Sequence, residues 1–173
     1  SGMETTFFTF LFLMSIYFFI SSYSNIKHLK FSFFFLMLAF LTRQEAVILL
    51  VIYITNLVIR YRDYPERNKL SKPVRNAIVL FGFPSLILIL FRLIYYGYLF
   101  PNTFYAKTET SLNYIYTGIE YTYGFYKIYT TFGILILLPL FILKIDKLKG
   151  VIILIYSIII SYTCYVIWVG GDV

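Results

Sequence analysis

Arg92 and Lys107 stand fifteen residues apart in an otherwise apolar and aromatic stretch, FRLIYYGYLFPNTFYAKT, running from Phe91 to Thr108. Arginine offers a planar fork of donors and lysine a compact point charge, so together they suit an anionic phosphate. Between them, Tyr95, Tyr96 and Tyr105 are of the kind that stacks on a sugar or lines a lipid groove, and the Asn102 side chain suits the Pro101–Thr103 turn. Plainer readings stay open: Arg92 snorkels from a helix end, Lys107 is solvated, and the tyrosines belong to an interfacial aromatic belt. Arg43 and Glu45 interrupt another apolar run. Two apart, they do not face each other on a continuous helix, but a loop could pair them or lend them to a ligand. Glu4 and Asp172 are candidate carboxylates for acceptor binding or base catalysis, or else caps of turns.

The elements that must position these groups follow from composition. The chain has 173 residues, of which 60% are hydrophobic and 13% charged, with a mean hydropathy of +0.80. Soluble domains carry about 25% charged residues, and apolar runs recur here along the whole length. The expectation is an all-α, polytopic transmembrane bundle in a single domain over 1–173, with about six crossings, some short or broken.

The net charge of +7 is unevenly spread. Eleven of the fifteen Lys and Arg residues lie in 24–30, 60–75 and 144–149, which reads as the positive-inside pattern of cytoplasmic loops in a bacterial inner membrane. Nucleic-acid binding is excluded on that distribution; the bilayer is the expected partner.

Apolar runs at Thr5–Tyr23, Asn76–Tyr95, Ile128–Leu143 and Val151–Val169 read as spans, with Gly82 and Pro84 allowing a kink in the second. Residues 96–127 are too polar to span and read as an extracytoplasmic loop, within which Glu109–Lys127 could form an interfacial amphipathic helix. Phe31–Ile59 is either one helix of roughly 43 Å with Arg43 and Glu45 near the bilayer centre, or a hairpin of two short helices. The hairpin keeps the basic loops on one side and lifts Arg43 and Glu45 to the other, although no Gly or Pro marks the break. Glu4, Arg43, Glu45, the Arg92–Lys107 stretch and Asp172 are then all expected on the extracytoplasmic side.

Other chemistry finds little support. No Walker A, GxGxxG, HExxH, GxSxG or CxxC pattern occurs. Cys164 is the single cysteine and His28 the single histidine, so neither a disulfide nor a metal site is expected from them. A divalent-metal cofactor has no support in the sequence. No signal peptide is evident, and Ser1-Gly2-Met3 and Asp172-Val173 read as the ends of a piece of a longer protein.

Four elements in order carry a resemblance. Ser1-Gly2-Met3-Glu4-Thr5 resembles SGxET, and Leu41-Thr42-Arg43-Gln44-Glu45 resembles LTRPE with Gln44 in place of Pro. Arg92 with Tyr95-Tyr96-Gly97 and Pro101-Asn102-Thr103-Phe104-Tyr105-Ala106-Lys107 resembles R..YYG…PNT.YAK, and Val169-Gly170-Gly171-Asp172 resembles VGGD. Together they resemble the membrane region of GT-C superfamily glycosyltransferases, in the branch near mycobacterial terminal arabinofuranosyltransferases.

The resemblance implies inverting hexosyl or pentosyl transfer from a polyprenyl-phosphate-linked sugar to a glycan, lipid or protein acceptor of the cell envelope. It implies Arg92 and Lys107 at the donor phosphate, with Arg43, Glu45, Tyr95, Tyr96, Asn102 and Tyr105 lining the substrate site. Glu4 and Asp172 are the catalytic candidates within the chain, while the principal base of the family belongs to a first outer loop upstream of Ser1. The alternatives are a lipid-linked-sugar transporter, an accessory subunit or an inactive truncated relative.

Overall fold

The computed structural model describes residues 2–63, 67–98, 112–130 and 146–171, and they form two separate units, 1–99 and 100–173. In the first unit, α1 spans Gly2–Ser21, α2 His28–Thr42, α3 Val47–Asp63 and α4 Arg67–Tyr96, with a 3-10 turn at Gln44–Ala46 between α2 and α3. In the second, α5 spans Leu112–Ile128 and α6 Asp146–Val169. No strand occurs among the described residues. Helix is what such apolar sequences must form in lipid, because it satisfies every backbone N–H and C=O within the segment. The hydroxyls on these helices follow the same rule: Thr9 bonds the Thr5 carbonyl, Thr55 that of Val51 and Ser157 that of Ile153.

Among the described residues, three helices are long and apolar enough to cross a membrane: Met3–Ser21, Ser71–Tyr96 and Lys149–Val169. They mark the chain as an integral membrane protein. The expected span at Ile128–Leu143 lies largely outside the described residues.

Phe31–Ile59 is broken into a hairpin. Arg43 adopts extended backbone angles, φ −141° and ψ 127°, while its N–H still bonds the Ala39 carbonyl, and one 3-10 turn then starts α3. The direction of α3 is fixed by its contacts with α1. The Tyr53 ring stacks on Phe19 with centroids 3.8 Å apart, the Tyr23 hydroxyl donates to Asn56 at 2.7 Å, and Arg60 donates to the Ser22 carbonyl at 3.1 Å. Both helices therefore run the same way, and α2 runs opposite to them. Neither short helix matches the ~30 Å core: α2 is about 22 Å long and α3 about 25 Å.

Serine hydroxyls set the register of α1 on α2. Ser15 Oγ donates to the Ser32 carbonyl at 3.0 Å, and Ser32 Oγ donates to the Ser15 carbonyl at 2.9 Å. Tyr53 Oη lies 3.1 Å from Ser15 Oγ, and all three residues are fully buried. Around this knot, α2 buries Leu29, Phe33, Leu36, Met37, Ala39 and Phe40. Its other partner is α4, where Phe81 meets Phe40 with ring centroids 5.5 Å apart. Since Arg67 follows Asp63 closely and Phe81 reaches the far end of α2, α4 runs parallel to α2.

The basic stretches are more helical than the sequence suggests. Much of 60–75 belongs to the end of α3 and the start of α4; α4 begins at Arg67, not Asn76, despite Pro73 inside it. Likewise α2 begins at His28 and α6 at Asp146. Lys and Arg are good helix formers whose charged heads reach water from a helix end, so the apolar boundary and the helix boundary need not coincide. The expected outer loop at 96–127 contains α5, and helix α1 takes in Glu4 from its first turn.

Candidate functional site

The α2–α3 turn converts a spacing that would be unproductive on a helix into an ion pair. With Arg43 extended and Glu45 in the 3-10 turn, Arg43 Nε stands 3.0 Å from Glu45 Oε2, and its NH2 donates to Oε1 at 3.4 Å. The guanidinium also lies over the Phe8 ring of α1, 5.6 Å from its centroid. A partly exposed pair of this kind adds only about 0–1 kcal/mol to stability, so its significance is positional. It leaves a cation and a carboxylate fixed at the end of the helices, both partly exposed.

Glu4 stands one turn before Phe8 on the same face of α1, exposed in the first helical turn. The Ser15–Ser32 register of the antiparallel pair sets Glu4 level with Arg43 (eleven residues from the serine in each helix). Glu4 and Arg43, 39 residues apart in sequence, are thus brought to one end of the first unit.

Arg92 lies on α4, which runs toward that same end. Arg43 follows Phe40 by three residues and Arg92 follows Phe81 by eleven, so along a straight α4 it stands about 12 Å farther out. Its NH1 is buried and has no hydrogen-bond partner among the described residues. A buried guanidinium nitrogen without an acceptor is costly, and an anion would satisfy it.

One turn on, Tyr95 and Tyr96 are 70% and 61% exposed, with their rings edge to face at 4.7 Å and the Phe91 ring stacked on Tyr95 at 5.6 Å. Gly97 then closes α4: it takes φ +73°, which a side chain would disfavour, and its N–H bonds the Leu93 carbonyl at 3.1 Å.

In the second unit, α5 and α6 pack antiparallel through glycine. A Cβ on Gly118 would strike the backbone of Ile167, so the absence of a side chain is what allows this approach. The Tyr126 hydroxyl lies 3.4 Å from Thr163 Oγ1 farther along the pair. The end of α6 is a Schellman motif: Gly171 N–H bonds the Val166 carbonyl at 2.9 Å and Gly170 N–H that of Ile167 at 3.2 Å. Gly170 and Gly171 have φ +83° and +89°, and added Cβ atoms would meet Tyr114 and Tyr121 at 2.5 and 2.9 Å. The Gly-Gly pair before Asp172 is therefore required twice over, by backbone conformation and by the tyrosines against it.

Of the residues singled out from sequence, Glu4, Arg43 and Glu45 gather at one end of the first unit, and Arg92, Tyr95 and Tyr96 occupy the α4 terminus. Lys107, Asn102, Tyr105 and Asp172 lie outside the described residues. Sequence reading missed Phe8 as the partner of Arg43, and missed the Tyr114, Gly118 and Tyr121 face. The i, i+4, i+7 spacing of that face was the available signal, masked by the abundance of tyrosine around it. Among the described residues, no group of three or more His, Cys, Asp or Glu is placed to hold a metal ion. No protein-family model, curated protein or solved structure matches the chain.

Proposed function

We propose that the chain is part of an integral membrane glycosyltransferase of GT-C type, moving a sugar from a polyprenyl-phosphate donor to a cell-envelope acceptor on the extracytoplasmic face. In such a transfer the acceptor hydroxyl attacks the anomeric carbon, the bond from that carbon to the phosphate oxygen breaks, and a base takes the hydroxyl proton. The demands on the protein are a carboxylate base and cations that neutralise the departing phosphate. Arg92 and Lys107 take the second task. Arg43, Glu45, Tyr95, Tyr96, Asn102 and Tyr105 line the substrate site, and Glu4 and Asp172 are the carboxylates nearest to the first task in this chain.

The observation that supports this reading most is the meeting of two of the four resembling elements. Glu4, from the first, and the Arg43–Glu45 pair, from the second, stand level at one end of antiparallel helices. The same end receives α4 and its Arg92, whose NH1 lacks an acceptor among the described residues. The test is sugar transfer by membranes carrying the protein. Arg92→Ala and Lys107→Ala are each expected to lower transfer on the order of a hundredfold at normal expression, the scale on which loss of a group stabilising developing charge is felt. Unchanged transfer in both variants would remove the phosphate assignment.

A further inference from the structure

At the opposite end of the first unit the charged side chains among the described ones are all cations. Lys27, Lys30, Lys72 and Arg75 are exposed there, and Arg60 lies 4.8 Å over the Tyr23 ring while bonding the Ser22 carbonyl. The Tyr23 hydroxyl beneath it donates to Asn56 Oδ1 at 2.7 Å. No carboxylate stands at this end among the described side chains.

Lys27 and Lys30 are distinguished from the rest by what lies beside them. They precede and open α2, one turn apart, and Lys30 Nζ stands 5.0 Å from the centroid of the Phe31 ring. From Phe31 an aromatic strip follows the seam between α1 and α2. Phe18 lies 5.4 Å from Phe31 and stacks on Phe35 at 5.5 Å, with Tyr17 and Phe34 in edge contact on either side. Tyr17, Phe31 and Phe34 are exposed, at 61%, 44% and 40%. The packing of α1 on α2 therefore leaves the strip facing outward, with two cations at its head.

We propose that this seam is a binding site for one anionic phospholipid of the bilayer, its headgroup phosphate on Lys27 and Lys30 and its acyl chain along Phe31, Phe18 and Phe35. The match is in both parts of the ligand. An apolar strip alone accepts any lipid tail, and a solvated lysine pair alone accepts any anion. Their continuity selects a molecule that is anionic at one end and apolar along its length. The site is remote from Arg43 and Glu45 and independent of the sugar-transfer reading.

The experiment uses the purified full chain in detergent, with native mass spectrometry counting bound phosphatidylglycerol and phosphatidylcholine of identical acyl composition. Each juxtamembrane cation contributes about fivefold in affinity for an anionic surface, so phosphatidylglycerol is expected to bind about 25-fold more tightly. Lys27→Gln with Lys30→Gln removes that preference, Lys27→Arg with Lys30→Arg keeps it, and Phe31→Ala weakens both lipids. Equal binding of the two lipids by the unaltered chain overturns the proposal, as does a preference that survives the double Gln exchange. Displacement of phosphatidylglycerol by millimolar inorganic phosphate overturns it too, since that marks a bare anion site.

Discussion

Gly118 carries the contact between α5 and α6, and substitution there has no cheap escape. The group that an added methyl meets is the backbone of Ile167, which cannot rotate away as a side chain could. Gly118→Ala is expected to destabilise the α5–α6 pair by about 1–3 kcal/mol, the usual cost of overpacking. By contrast Gly82 and Gly124 have nothing within 4 Å of an added Cβ, and neither needs a positive φ. Gly82→Ala and Gly124→Ala are expected to be neutral or to stabilise by about 0.5–1 kcal/mol. Thermal unfolding of the three variants in one detergent decides this; a Gly118→Ala variant as stable as Gly124→Ala contradicts the close approach. At the same scale, Tyr53→Phe removes one hydroxyl from a buried knot in which Ser15 and Ser32 keep their bonds to each other's carbonyls. Its expected cost is about 0.6–1.7 kcal/mol, the range for polar contacts between membrane helices.

The hairpin of α2 and α3 was legible from sequence only as one of two possibilities. Charge bias favoured it, while the usual markers of a break were missing. The reason lies in how the break is made. One extended residue, Arg43, and one 3-10 turn suffice, and neither requires glycine or proline. The partner that helps to hold Arg43 there, Phe8, is 35 positions away on α1. Local sequence does not encode such a contact. Helix ends were misjudged for a related reason: apolarity marks where lipid ends, whereas α4 and α6 continue with Lys and Arg beyond it. The hairpin makes an accessibility prediction. With Cys164→Ser as background, Asn25→Cys and Arg62→Cys are expected to react with a membrane-impermeant maleimide from one side, and Gln44→Cys from the other. Labelling of positions 25 and 62 from opposite sides contradicts the hairpin.

At the scale of the molecule, the three spanning-length helices among the described residues, with their exposed large apolar side chains, require lipid or detergent. The chain is expected to stay with membranes through high salt and alkaline carbonate and to leave them only with detergent; release by carbonate contradicts integral insertion. Each unit has its own means of tight packing, serine and tyrosine in the first and glycine in the second. The reciprocal serine bonds have a consequence for depth. Because each hydroxyl is spent on the other helix's carbonyl, sliding α1 along α2 by one residue breaks both bonds together, with no intermediate setting that keeps one. The pair therefore behaves as a strut of fixed length, with Glu4 and Arg43 at one end and Lys27 and Lys30 at the other. A change in bilayer thickness must then be absorbed by tilt or by local deformation of the lipid, and the spacing between the two polar ends is preserved from one membrane to another.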